Sequence, residues 1–454
     1  MDVAVVVFTS DLRLRDHPAL HAARRAADAV VPLFVRDRGV DGAGFATPNR
    51  LAFLADALTD LDVGLRERGG RLVVREGDVV DEVCAVVRET GAGEVYLSAG
   101  VSAYARRREE RLRAALEELR CPLRVHDGAV TVVPPGAVTP AGRDHFAVFT
   151  PYHRRWRESV RDAPLAAPRR IVVPDTAKGQ GPPQRDGVTG VSPGVPRGGE
   201  QEGRRRMTAW LRSDVDAYEE RHDDLAGDAT SRLSPYLHFG CLSASELTHR
   251  ALRHGGTGAE AFVRQLAWRD FHHQVLAARP DASWADYRPR GDRWRHDERE
   301  LTAWREGRTG YPIVDAAMRQ LAHEGWMHNR GRLLVGSFLT KTLYADWREG
   351  ARHFLRLLVD GDMANNQLNW QWVAGTGTDT RPNRVLNPVT QARRYDPDGA
   401  YVRRWVPELA GVGGSAVHEP WKLDAAELRD SGYPAPLVDL AVSRDRFLTA
   451  RNKA

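Results

Sequence analysis

Short runs of β-branched residues alternate with helical periods over residues 1–128. VAVVVF (3–8) precedes PALHAARRAAD, VVPLFV (30–35) precedes PNRLAFLADALTDLDVGL, RLVVREG (71–77) precedes VVDEVCAVVRET, EVYLS (94–98) precedes an Arg/Glu-rich stretch at 104–119, and PLRVHDG closes the series at 122–128. Apolar strands each followed by a helix are what a parallel sheet covered on both faces requires. The pattern predicts a doubly wound α/β domain over 1–128, with ligands bound at the carboxyl ends of its strands. Phe8-Thr9-Ser10-Asp11 and Gly77-Asp78 fall at such ends. No GxGxxG or Walker loop accompanies them, so neither a dinucleotide nor a nucleoside triphosphate is indicated.

The texture changes at residue 129. From Pro164 to Arg206 the chain is rich in Pro, Gly, Arg and Asp with little periodicity, which reads as a long wrapped or partly mobile connection spanning 129–205. From Met207 onward strand patterns vanish and helical periods joined by Gly and Pro take over, so 206–454 is expected to be an all-α domain. The length of 454 residues itself calls for two or three cores.

Composition adds little. Hydrophobic residues make up 42% and charged residues 28%, with no apolar run long enough to span a bilayer and no signal peptide at MDVAVVVFTSDLR, so the cytoplasm is the expected location. A net charge of +5 is compatible with nucleic-acid binding and equally with a mildly basic soluble protein. Cys84, Cys121 and Cys241 form no CxxC pair and read as reduced core residues.

Candidate chemistry concentrates between Trp326 and Asp379, where Asn329, Asn365, Asn366, Asp360, Asp362, Arg330, Arg332, Trp326, Trp347, Trp370 and Trp372 crowd one helical region. A buried amide or charge needs a partner or costs about 1–3 kcal/mol, so the region reads as a ligand pocket. Arg332 is placed to pair with Asp360, Asn329 shares a face with Leu333, and Asp362 and Asn366, four apart, are expected to meet one ligand edge. Upstream, Thr230, Ser231, Arg232 and a helix starting with Ser234 as N-cap before Pro235 would cradle a phosphate, although most Ser-Pro helix starts are only caps. Gln265 and Trp268 share a helix face; Trp268 alone reads as core. His272 and His273 lack a third ligand at metal spacing, and no metal is expected.

GRTGYPIVDAAMRQLAHEGWMHNR, DWREGARHFLRLLVDGD, NNQLNWQWVAGTGTD, LNPVTQ and HEPWKL resemble the photolyase/cryptochrome flavoproteins, specifically class I bacterial photolyases, and the resemblance runs from FTSDLRLRD to HEPWKL. It implies a Rossmann-like antenna domain followed by a helical FAD-binding domain, acting as a monomer with no obligate protein partner. It implies that Tyr218, Thr230, Ser231, Leu233 and Ser234 hold the phosphates and ribityl chain of FAD. Asn329, Arg332, Asp360, Asp362 and Asn366 would surround the isoalloxazine, with Asn366 at N5. Trp268 and Trp372 would wall an extruded pyrimidine dimer, with Gln265 and Leu333 facing the lesion. Trp370, Trp347 and Trp294 would relay electrons from the surface to the flavin.

On this resemblance the substrate is UV-damaged DNA, repaired by light-driven electron transfer from reduced FAD. Arg330, Arg393, Arg394, Arg403 and Arg404, interleaved with Tyr395 and Trp405, are candidate phosphate contacts, though each could equally line a solvated face. Two positions depart from the family pattern: Gln265 stands where Glu is common and Leu333 where Met is common. The first domain would hold a second, light-harvesting chromophore. Arg50 matches the 8-hydroxy-5-deazaflavin type, whereas the acidic residue of methenyltetrahydrofolate binders is replaced by Ala105; an empty site is the remaining reading. The functional alternatives are a cryptochrome that signals without repair and a (6-4) photolyase.

Overall fold

The computed structural model describes residues 1–160, 163–424, 429 and 431–452. Along the chain, β1 (Val3–Phe8), α1 (Pro18–Ala26), β2 (Ala29–Asp37), α2 (Arg38–Gly42), α3 (Pro48–Arg66), β3 (Val73–Gly77), α4 (Val79–Thr90), β4 (Glu94–Ser98), α5 (Ala103–Glu118) and β5 (Leu123–His126) come first. Helices then take over: α6 (Phe149–Ser159), α7 (Glu200–Ser213), α8 (Tyr218–Arg221), α9 (Ser234–His238), α10 (Ala244–His254) and α11 (Gly256–Ala278). They continue with α12 (Glu298–Glu306), α13 (Pro312–Glu324), α14 (Asn329–Ser337), a π-helical turn at Phe338–Thr342, α15 (Trp347–Leu357), α16 (Met363–Ala374), α17 (Pro388–Tyr395), α18 (Ala400–Trp405) and a last helix, Leu440–Asn452. No described helix is long and apolar enough to cross a membrane.

The chain divides into two compact units. One comprises Met1–Val191, Pro196–Glu219 and Ser231–Pro280; the other comprises Ser192–Val195, Glu220–Thr230 and Asp281–Ala454. In the first, five parallel strands stand in the order β3-β2-β1-β4-β5, the doubly wound arrangement expected from the alternating pattern. All six residues of β1 are buried, because helices cover both faces. Asp78 starts α4 by accepting the Val80 and Asp81 N–H groups, and Gly91, at φ 66°, ends it in the left-handed conformation.

The expected boundary near 205 is not where the units part. Residues 196–219 and 231–280 belong to the same unit as the sheet. Buried Arg13 explains part of this: its guanidinium donates to the carbonyls of Asp16, Ala129 and Gly240. Gly240 presses so closely on the turn after β1 that a Cβ there would lie 2.0 Å from Ser10 O. Asp270 on α11 takes the Val132 and Val133 N–H groups and the Trp156 indole on one carboxylate oxygen. Single buried polar residues of this kind leave no periodic trace in a sequence.

The stretch expected to be a loose connection is bonded along its length to the sheet and α3. Ile171 N–H donates to Arg68 O at 2.8 Å, Val30 N–H to Val172 O at 2.8 Å, Gln180 bridges Val74, and Arg185 pairs with Asp56 at 2.6 Å. It also contains α6, whose Trp156 is fully buried.

The second unit is helical. Pro312 opens α13, and Gly325 at φ 59° closes it; Asp346 and Asp362 cap α15 and α16. Its core gathers Trp304, Phe338, Trp347, Phe354 and Trp370, with Trp294 packed against them. The helices α15 and α16 approach closely at Gly350, where a Cβ would meet the Trp370 ring at 2.2 Å.

Candidate functional site

In the second unit α14 carries Arg332, whose Nη2 donates to Asp360 Oδ2 at 2.8 Å while Nε donates to Met327 O at 2.9 Å. The Asp360 side chain is 3% exposed, and its second oxygen, Oδ1, is buried without a partner among the described residues. A carboxylate half satisfied by an arginine and half bare is a poor way to fill a core but a usable way to receive an N–H donor. Thr230 Oγ1 is likewise buried with no partner among the described residues, and Asp228 nearby in sequence holds φ 47°.

Asp362 and Asn366 do not present a carboxylate and an amide to one ligand edge as expected. The Asp362 oxygens turn back onto the backbone N–H and side-chain amide of Asn365, at 2.8 Å each, because the residue is the N-cap of α16. The Asn366 Nδ2 donates to Ala351 O at 3.1 Å and to Gln367 Oε1 at 2.8 Å. Its donors are spent, which leaves its carbonyl oxygen as the group a ligand would meet. Asn329, at the exposed start of α14, and half-buried Leu333 share one helix face, and Trp372 is half-buried on α16.

The three relay candidates lie in one apolar cluster. Trp370 is buried edge-on against Phe354, with ring centroids 4.9 Å apart, and against Trp304 at 6.0 Å. Its ring rests on Gly350, one helical turn after Trp347. Trp347 is fully buried, and its indole N–H donates to Asp286 Oδ1 at 2.8 Å. Half-buried Trp294 lies 5.2 Å from the Tyr344 ring, where a parallel bridge joins Arg295 to Ala345.

In the first unit Tyr218 packs edge-on to Trp210 and Phe262, each at 5.7 Å. Ser234 is not the cap of α9: Leu233 is already helical, with φ −89° and ψ −5°, so Ser234 and Pro235 are the first two residues of a five-residue helix. The Ser231 hydroxyl instead accepts the Leu233 N–H at 3.4 Å, and Arg232 holds φ 50°. Gln265 is exposed on α11, one turn from half-buried Trp268. One face of Trp268 is covered by Phe149, stacked at 3.8 Å and 5°, so a single face remains for a ligand.

At the carboxyl ends of the strands, Asp11 accepts from Ser98 Oγ at 2.5 Å and pairs with His17 at 3.1 Å. Burial alone would raise this carboxyl, but His17 and the hydrogen bonds hold it at about 2. Tyr104 bonds to Asp37, and burial lowers Arg108 beside them. Buried Arg50 donates to Phe45 O at 2.8 Å from the first turn of α3. Ala105 lies against Gly100, where an added Cβ would be 2.4 Å from its own.

Two of the expected phosphate contacts already have acid partners. Arg330 grips Asp223 through Nε, at 3.1 Å, and Nη2, and lies over the Tyr395 ring at 4.3 Å; its charge is spent inside the protein. Arg393 pairs with Glu419. Arg394 lies over Tyr395 and Arg404 over Trp405, exposed and without an acid partner among the described residues. Arg403 bonds to the Asp398 carbonyl.

A protein-family model described as DNA photolyase matches residues 4–169, and one described as the FAD binding domain of DNA photolyase matches residues 262–453. The chain is 66% identical over 453 residues to the deoxyribodipyrimidine photo-lyase of Streptomyces griseus, covering 99% of both chains. The chain belongs to the DNA photolyase family. Among solved photolyases it resembles a bacterial class III enzyme from Agrobacterium tumefaciens, with a TM-score of 0.91 at 32% identity over 100% of this chain and 98% of that one. It also resembles an archaeal photolyase from Sulfolobus tokodaii with two FAD molecules, with a TM-score of 0.87 at 30% identity over 100% of each chain.

The photolyase cofactor can be tested against the residues present. Asp360 Oδ1 and Thr230 Oγ1 are buried polar atoms without partners among the described residues, the condition of groups that a polar ligand completes. FAD carries both ring N–H donors and phosphate acceptors, so the donor set fits it. No group of three or more acidic, His or Cys residues that could hold a metal occurs among the described residues. Sequence reading missed Asp286, Asp292, Tyr344, Phe149 and Asp223. The one visible signal was Asp292, two residues before Trp294; Asp286 lies 61 positions from the Trp347 it bonds and left none.

Proposed function

We propose that this photolyase-family member repairs cyclobutane pyrimidine dimers in DNA, driven by light and a reduced flavin. The observation that carries the reading is the Arg332–Asp360 pair, with its one bare oxygen, in a unit that also packs Trp370, Trp347 and Trp294 in a single cluster. FADH⁻ excited by blue light supplies the electron that opens the cyclobutane ring and takes it back afterwards. Every other task falls to the chain.

In the second unit Asn329, Arg332, Asp360 and Asn366 would hold the flavin ring. The pair neutralises itself, so the ring would meet no net charge, and the Asn366 carbonyl would be free to accept an N–H at flavin N5. Thr230 takes a phosphate oxygen; in the first unit Tyr218, Ser231, Leu233 and Ser234 are the remaining phosphate and ribityl contacts. Trp268, backed by Phe149, offers one flat face to an extruded pyrimidine dimer, as does Trp372; Gln265 and Leu333 meet the lesion edges. Flipping costs a few kcal/mol, less for a dimer that already pairs poorly. Trp370, Trp347 and Trp294 would pass electrons inward to a bound, oxidised flavin.

The same reading assigns the second chromophore as 8-hydroxy-5-deazaflavin, near Arg50 at the strand ends of the sheet. Half-buried Ala105 supplies no carboxylate where the folate type has an acidic residue. Arg394 and Arg404 meet phosphates. The buried, unpaired thiols of Cys84, Cys121 and Cys241 suit the cytoplasm.

The test is repair of a thymine dimer in a short duplex by chemically reduced holoprotein, in blue light and in darkness. Return of thymine absorbance in light alone is expected. Flavin bound and reduced with no repair would overturn the reading in favour of a (6-4) lesion or a signalling role.

A further inference from the structure

Beyond Trp294 lies a second oxidisable ring. Tyr344 packs on Trp294 with centroids 5.2 Å apart and an interplanar angle of 51°, and it is 5% exposed. Its hydroxyl donates to Asp292 Oδ1 at 3.1 Å, two residues before Trp294. The Asp292 side chain is 2% exposed; Arg451 Nε donates to the same oxygen at 2.7 Å, and Oδ2 has no partner among the described residues.

The backbone makes this contact at some cost. Tyr344 holds φ 56°, a left-handed conformation that a bulky side chain adopts rarely and that is found where surrounding structure enforces it. The enforcing contacts are visible: Arg295 N–H donates to Tyr344 O at 2.8 Å, and Arg295 bridges Ala345. The strain therefore holds the Tyr344 ring beside Trp294.

We propose that Tyr344 is the terminal electron donor of the relay, reducing oxidised Trp294 while its phenolic proton passes to Asp292. The proposal rests on the relay reading given above. When light drives an oxidised flavin to draw one electron through the relay, Trp294 is left as a radical cation. One electron then moves from Tyr344 to Trp294, the Tyr344 O–H bond breaks, and an O–H bond forms on Asp292. The products are neutral Trp294, a neutral tyrosyl radical and a carboxylic acid; a small-molecule thiol then gives one electron to the tyrosyl radical, Asp292 returns the phenolic proton, and the thiol, having released its own proton to solvent, leaves as a thiyl radical.

The carboxylate is suited to the proton. Burial outweighs the attraction of Arg451 and lifts Asp292 above the ordinary carboxylate range, and burial with the adjacent acid likewise raises the Tyr344 phenol, so the phenol keeps its proton until it is oxidised. A neutral radical whose proton has moved away cannot be refilled by the flavin without that proton returning, which slows the wasteful back-reaction.

The test is flash photolysis of the full-length holoprotein with oxidised flavin. In the wild-type protein the broad visible absorption of tryptophan radicals should give way to the narrow near-ultraviolet band of a tyrosyl radical, in a phase that slows in D₂O. Tyr344→Phe keeps the ring contact and should lose that band, leaving a tryptophan radical that recombines faster; flavin content reports that the variant is folded. Asp292→Asn should keep the tyrosine but slow its oxidation. No tyrosyl band in the wild type, or an unchanged band in Tyr344→Phe, overturns the proposal. Trp294→Phe separates the two readings. If it abolishes radical formation while Tyr344→Phe changes nothing, the relay stands and the tyrosine donor falls; if it changes nothing, the relay itself falls.

Discussion

The indole nitrogen of Trp347 donates to Asp286 Oδ1 at 2.8 Å, and the guanidinium of Arg348 both shares that oxygen, at 3.0 Å, and lies 4.6 Å from the centroid of the Trp347 ring. The fully buried indole therefore faces one charge of each sign. A carboxylate on the N–H stabilises an electron-poor indole, and a cation over the ring opposes it. Replacing Asp286 with Asn removes the first and keeps the second. A hydrogen bond to a charged group contributes about 1.5–3 kcal/mol, so electron transfer out of Trp347 should slow by roughly tenfold, read as the rise of the flavin photoreduction signal. Arg348→Gln should shift it the other way.

Asp360 depends on Arg332 for the satisfaction of one oxygen. Arg332→Met strands a buried carboxylate, at about 3 kcal/mol or more, and should lower both flavin retention and thermal stability. Asp360→Asn leaves Arg332 half-exposed and able to find water, so it should cost less stability while still weakening flavin binding. Dialysis against buffer followed by flavin absorbance, with a melting curve on the same samples, distinguishes the two.

Asp270 gives a pH dependence of defined sign. Burial outweighs Arg269 and the three N–H donors and pushes its carboxyl up to about 6. The native state then holds a proton that the unfolded chain has released near pH 4, so stability falls as pH rises from about 4 to about 6 and is level above. Asp270→Asn can keep the Val132, Val133 and Trp156 donors on its one carbonyl oxygen. The difference in melting temperature between variant and wild type should grow across that window, reaching the equivalent of about 1–3 kcal/mol.

Arg394 and Arg404 are the exposed cations without acid partners among the described residues in a region where Arg330 and Arg393 are paired. Replacing either with Gln should weaken damaged and undamaged DNA about equally and reduce the salt slope of binding by about 1. Arg330→Gln should instead destabilise the fold by freeing Asp223. Binding isotherms at several salt concentrations, with a melting curve, check both statements.

The strands, the helices after them and the helical second half were legible because each repeats a period, and the motifs from Trp326 to Asp379 marked the polar centre because a core does not need those amides. The Arg332–Asp360 pair followed from the same reasoning and is present. What escaped was set by single residues acting across long sequence separations. Gly240 against Ser10 and Asp270 against Val132 tie helical segments to the sheet unit, so the boundary expected near 205 was misplaced. Ser234 was read as a cap because Ser-Pro commonly begins a helix, whereas Leu233 had already entered the helical conformation. Asp362 was assigned to a ligand when the helix it starts claims its carboxylate first.

Gly350 contributes no functional group, yet the Trp370 ring occupies the space its side chain would need. The rate of electron tunnelling falls exponentially with separation, so a methyl group added at 350 would act as a spacer. It would keep every redox-active residue in the chain and turn down the current between them, which makes this glycine a setting of conductance written in the absence of an atom.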